Sequence, residues 1–118
     1  MNFLLVFFGG GLGCVLRYLI GIGFQRTTTS LPWATFTANI VACLIFAGVV
    51  WFLNAKELLS SNIKLLLLTG FCGGLSTFSS FGYETFLLVR QGLQLYAFLN
   101  VVLSTCFCVL VFYIFNKA

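Results

Sequence analysis

Histidine and aspartate are absent from this chain of 118 residues, and only two glutamates, Glu57 and Glu84, supply acid. Without histidine or a cluster of acids, the five cysteines at 14, 43, 72, 106 and 108 have few partners with which to build a metal centre. Charge of either sign is scarce, at 7% of residues against 61% hydrophobic. A soluble domain carries about 25% charged residues, so this chain lacks the means to cover a water-facing surface and reads as a membrane protein. The net charge of +4 comes from six isolated basic residues, Arg17, Arg26, Lys56, Lys64, Arg90 and Lys117. They form no stripe or run, which argues against nucleic acid as a partner. No basic region precedes the apolar start MNFLLVFFGG, so the first segment is expected to be a retained helix rather than a cleaved signal. No nucleotide-binding motif is present. The glycines of the first segment follow no strand and do not form a phosphate-binding loop.

What remains is apolar length. A spanning helix takes roughly 20 apolar residues, and four windows supply them, at about 2–24, 31–53, 63–89 and 93–115. The expected fold is an all-α membrane protein: one domain over 1–118, four spans, and short polar connections QRTTTS, NAKELLSSN and RQGLQ. The single proline, Pro32, opens the second span, where its missing N–H removes no helical bond. The cysteines all fall in apolar runs and are expected to pack as small apolar residues. Basic residues divide three against two across the membrane, with Lys56, Lys64 and Lys117 on one side and Arg26 and Arg90 on the other. So small a bias fixes orientation poorly, and it points to insertion both ways up. The natural assembly is then an antiparallel homodimer with its two-fold axis in the membrane plane. An orientation fixed by Lys56 and Lys64 together is the alternative.

Gly9-x-x-x-Gly13 in the first span and Gly70-x-x-x-Gly74 in the third are signals for close helix approach in lipid. Polar side chains enter three spans. Thr35 and Asn39 share a face of the second, Asn100, Ser104 and Cys108 form a stripe on the fourth, and the third carries GGLSTFSSFGYE, residues 73–84. Such groups can be interhelical glue, or they can line an aqueous path. Gly73-Gly74 followed by Ser-Thr-Phe-Ser-Ser lowers helix propensity sharply, so a break is expected there. Broken backbone at membrane depth persists where it lines a cavity or is buried in protein, and its freed carbonyls suit an alkali cation. Phe78 and Phe81 are spaced i, i+3. The positive edges of their rings, with Asn39 and nearby hydroxyls, would offer a small anion contacts that do not trap it. Arg17 and Glu84 are charges inside spans and therefore functional candidates; a mutual salt bridge or snorkelling to the interface is the structural alternative.

The segments GGGLGCVLRY, FTANIVACLIFAG and GFCGGLSTFSSFGYE stand in the order and spacing of the CrcB or Fluc family of small fluoride channels, which the chain resembles over nearly its whole length. The resemblance implies a passive fluoride-selective channel, not an enzyme, that relieves fluoride toxicity by exporting the ion across a bacterial plasma membrane. It implies a dual-topology dimer with two antiparallel pores and one central Na⁺. Asn39, Phe78, Phe81, Ser79 and Ser80 would line the pore. Asn100, Ser104 and Cys108 would form a polar track beside it, and Arg17 would charge the vestibule. The backbone carbonyls of Gly73 and Ser76 would hold the Na⁺; serine at 76 stands where threonine is commoner in the family, a change that a carbonyl ligand does not register. Two rivals remain at this point: a small proton-coupled drug antiporter, which needs a deep carboxylate, and a non-transporting assembly subunit.

Overall fold

The computed structural model describes residues 2–25, 32–55 and 60–117. Four helical spans long and apolar enough to cross a membrane account for nearly all of them. The first is α1 (Asn2–Gly23) and the second α2 (Trp33–Ala55). The third runs Ser61–Arg90 and is divided into α3, residues 61–75, and α4 (Phe78–Arg90). The fourth is α5 (Gln94–Lys117). These bounds agree with the hydropathy windows to within two or three residues. Arg26, Lys56 and Glu57 lie outside the described residues, so the charge balance across the membrane rests on sequence.

Local chemistry explains the ends. The Pro32 carbonyl accepts the N–H of Phe36 at 3.0 Å, so the proline opens α2 without cost to its ladder. Ser60 caps the start of α3 through the N–H of Ile63. At the other end of the third span, Gly92 takes φ 81, and Leu93 N–H returns to Leu88 O at 2.9 Å. That 6→1 bond closes α4, and the positive φ falls on the residue that has no Cβ to object.

Two helical seams assemble the spans: α1 lies along α3, and α2 lies along α5. The α1–α3 seam is backbone against backbone. A Cβ added at Gly13 would strike Phe71 O and stand 2.8 Å from Leu75 N, and one added at Gly74 would strike Gly10 O. Gly9 meets Leu66 O in the same way. Both glycine pairs singled out by spacing therefore face each other across one contact. Within α3 the nine residues Lys64–Cys72 adopt π-helical i→i+5 bonding, which neither propensity nor periodicity announces. A π segment is a frequent companion of functional sites, and this one ends about one helical turn before the break. Leu75, wholly buried, closes α3 by packing with Ala38 and Ala42 of α2, against Leu16 and Ile20 of α1.

Candidate functional site

The break falls within the stretch expected from sequence, at its Ser-Thr pair rather than at its glycines. Gly73–Leu75 are still α-helical, because Gly74 is held in the α1 seam and Leu75 is anchored in the core. The chain leaves the helix at Ser76 (φ −81, ψ 156) and stays extended at Thr77 (φ −150, ψ 120). Thr77 then caps α4, its hydroxyl accepting the Ser80 N–H at 3.3 Å. Sequence reasoning passed over Thr77 as one hydroxyl among several. Its signal was available, since a Thr directly before an apolar helical run is an N-cap candidate.

Asn39 holds the break in place. Its Oδ1 accepts the Thr77 N–H at 2.8 Å, and its Nδ2 donates to Thr77 O at 3.4 Å. One turn earlier on the same face of α2, Thr35 donates to Glu84 Oε1 at 2.8 Å. The shared face read from sequence thus binds α4 at two points. Among the described residues, Glu84 Oε2 is buried without a hydrogen-bond partner.

These bonds redirect the backbone. In a continuous helix the Thr77 N–H would satisfy Gly73 O and the Ser80 N–H would satisfy Ser76 O. The first goes to Asn39 and the second to the Thr77 hydroxyl, and among the described residues no other backbone donor replaces either. Ser76 turns its own hydroxyl back to Cys72 O at 2.9 Å, so its side chain does not cover its carbonyl. Gly73 is exposed, with nothing within 4 Å of a Cβ built there. Two hard, unpaired carbonyl oxygens, Gly73's at the C-terminal end of α3 and Ser76's on unwound backbone, are donors that suit an alkali cation. The residues present fit the Na⁺ that the resemblance implies.

Beyond the break, Phe78 and Phe81 form an edge-to-face pair with ring centroids 5.8 Å apart and planes at 86°. Phe78 is 75% exposed on the single chain. Ser79, also exposed, places its hydroxyl 3.3 Å from that of Thr77. Ser80 enters through its N–H. The stripe on α5 separates into two parts. Asn100 and Ser104 are buried, Ser104 donating to Asn100 at 3.4 Å and Asn100 to Thr85 at 2.8 Å. Thr85 in turn donates to Phe81 O at 2.8 Å, which makes it a second residue that spacing alone did not select. Cys108 instead contacts Asn39 O at 4.0 Å.

Arg17 and Glu84 do not meet. Arg17 Nε donates to Gly74 O at 3.2 Å, placing a cation at the C-terminal end of α3 where the helix dipole favours one. The salt-bridge alternative is therefore set aside. Of the cysteines, Cys72 is buried and Cys43 and Cys108 are half-buried, whereas Cys14 and Cys106 face away from the chain's own core. Among the described residues no group of His, Cys, Asp or Glu is arranged to hold a metal, so any cation at the break would depend on carbonyl oxygens.

Residues 4–115 match the family model described as CrcB-like protein, Camphor Resistance (CrcB). The chain is 42% identical to the fluoride-specific ion channel FluC of Klebsiella pneumoniae over 118 residues, covering 96% of this chain and 92% of that one. It is 44% identical to the FluC protein of Phocaeicola vulgatus over 93 residues (78% and 76%), and 46% identical to that of Pyrococcus abyssi over 99 residues (84% and 80%). With one family matching almost end to end and relatives this similar over most of their length, this multi-pass membrane protein belongs to the CrcB-like family.

Proposed function

We propose that the protein is a fluoride channel: a passive conduit, with no covalent chemistry, that lets F⁻ leave a microbial cytoplasm through the plasma membrane. The observation that carries this reading is the break at Ser76–Thr77, where an amide, hydroxyls and two phenyl rings converge within a span otherwise built of hydrocarbon. Relatives that are fluoride-specific ion channels support the choice of anion.

Fluoride is small, hard and strongly hydrated, so a path for it must replace water with donors. Asn39 has a second Nδ2 hydrogen beyond the one given to Thr77. The hydroxyls of Ser79 and Ser80 stand on the first turn of α4, whose N-terminus adds the positive end of a helix dipole. The phenyl edges of Phe78 and Phe81 contribute weak positive contacts without a fixed charge. Asn100 and Ser104, linked through Thr85 to the Phe81 carbonyl, extend polar character along the same side, with Cys108 beside Asn39. Arg17 supplies positive potential near one end. HF formed in acidic surroundings crosses the membrane and dissociates in the near-neutral cytoplasm, and an inside-negative potential then drives the anion out.

The working assembly is an antiparallel homodimer with two pores. Supporting this, the single chain leaves Gly73, Phe78 and Ser79 uncovered at mid-span, and exposed hydroxyls at that depth favour a protein partner over lipid. The Gly73 and Ser76 carbonyls of two such chains would hold one Na⁺ on the two-fold axis. Bound there, the ion would neutralise four carbonyl dipoles and tie the two breaks together.

The test is efflux from liposomes that contain the purified protein, followed with a fluoride electrode and a chloride electrode in parallel. Fluoride efflux without chloride efflux is expected, and Phe78→Ile with Phe81→Ile should abolish it while the dimer persists. No fluoride efflux from an intact dimer overturns the reading. Glu84→Gln then tests the antiporter alternative, which requires that carboxylate for proton exchange.

A further inference from the structure

We propose that Asn39 is the positioning residue of the cation site. By taking the Thr77 peptide for itself, it keeps the Gly73 carbonyl free for the ion. The inference rests on the reading of the break as a Na⁺ site.

The argument is one of competition for a single N–H. Thr77 lies four residues after Gly73, so its N–H is the helical donor for Gly73 O. In the structure that hydrogen points instead to Asn39 Oδ1 at 2.8 Å, and the Thr77 carbonyl receives Asn39 Nδ2 at 3.4 Å. A primary amide carries a donor and an acceptor side by side, so one side chain satisfies both polar groups of one residue, as a neighbouring strand would. The Thr77 dihedrals, φ −150 and ψ 120, are those of a strand residue. Unwound backbone within a span must find its partners in protein, and here Asn39 provides them. The Ser76 carbonyl is freed by the next link of the same chain, the Thr77 hydroxyl on the Ser80 N–H. Both cation ligands therefore depend on where Thr77 is held, and Asn39 holds it.

Without the amide, the acceptor that a continuous helix offers the Thr77 N–H is Gly73 O. The helix would then extend across the break and consume the ligand. Asn39 would thus act on the cation site through backbone geometry, with its remaining amide hydrogen facing the anion path. One side chain joins the two sites.

The experiment uses the full-length dimer in fluoride-free buffer. Thermal unfolding is followed as sodium chloride is titrated against N-methyl-glucamine chloride at constant ionic strength. The wild type should be stabilised by sodium. Asn39→Ala should need about tenfold more sodium for the same shift, or lose it, the change expected when a hydrogen bond that organises a site is removed. Asn39→Asp should retain the sodium response, because its carboxylate still accepts the Thr77 N–H. Phe78→Ile should retain it as well, although its fluoride flux is lost. An unchanged sodium response in Asn39→Ala overturns the inference. Should Asn39→Ala fail to assemble, loss of the response in Asn39→Asp overturns it instead. A wild type indifferent to sodium overturns the cation reading, and the inference with it, while leaving the fluoride assignment to the efflux assay.

Discussion

The two sides of the third span are held by opposite means. Toward α1 the contact is made by missing side chains: Gly9, Gly10, Gly13, Gly70 and Gly74 let backbones touch. Toward α2 and α5 it is made by polar side chains: Thr35 on Glu84, Asn39 on Thr77, Asn100 on Thr85. In lipid there is no hydrophobic force to bring helices together, so packing and hydrogen bonds must do it. The glycine seam has a steep, short-ranged potential and behaves as a fixed wall. The polar side consists of groups that can exchange partners with an ion, and it is there that the chain opens. The proposed conduit would use both, a wall that does not yield and a lining that does.

The largest effect is expected from breaking the wall. Gly13→Ala or Gly74→Ala sets a methyl group against backbone that cannot rotate away, and overpacking of this kind costs about 1–3 kcal/mol. Gly11→Ala, which meets nothing within 4 Å of its built Cβ, is the control and should be near neutral. Thermal unfolding of the purified protein in detergent would compare them. Equal stability for Gly13→Ala and Gly11→Ala would remove the basis of the comparison.

Next comes the lining. Asn39→Ala should lower fluoride efflux by about 10–100-fold, the cost of leaving a buried polar group unpaired at about 1–3 kcal/mol, with less effect on assembly than Gly13→Ala. Efflux and size-exclusion elution measured on the same preparation separate the two effects. A variant that loses assembly first would place Asn39 with the wall.

Glu84→Gln preserves an acceptor for the Thr35 hydroxyl and removes the charge. A stability change within about 1 kcal/mol is expected, because the Thr35 bond persists. If this variant instead fails to fold, the carboxylate is part of the wall. The smallest effect belongs to Ser104→Ala, whose bond to Asn100 is long at 3.4 Å. Even interhelical polar contacts in membranes average only about 0.6 kcal/mol, and this one lies within a single helix, so both stability and efflux should change little. A large loss of efflux at unchanged stability would move Ser104 from supporting contact to pore lining.

Much of this comparison is legible in the sequence. The four spans follow from apolar length, and the glycine pairs and the shared face of Thr35 and Asn39 follow from spacing. The residue at which the break opens does not: propensity is low across the run from Gly73 to Ser80, lowest at its two glycines. Those residues nevertheless remain helical, because Gly74 is clasped by α1 and Leu75 is buried. Thr85 was likewise invisible, since its part depends on which residue of α5 comes opposite.

By itself, the sequence determined that the protein lives in a membrane, crosses it four times and carries a break in its third crossing. These are matters of composition and of local periodicity, which each segment holds without reference to the others. Only the tertiary structure decided that the break opens at Ser76–Thr77, that Arg17 caps a helix instead of pairing with Glu84, and that Asn39 and Thr77 share both bonds of an amide. Each of those outcomes is a competition among acceptors for one donor, and which acceptor lies nearest is settled by how separate helices pack.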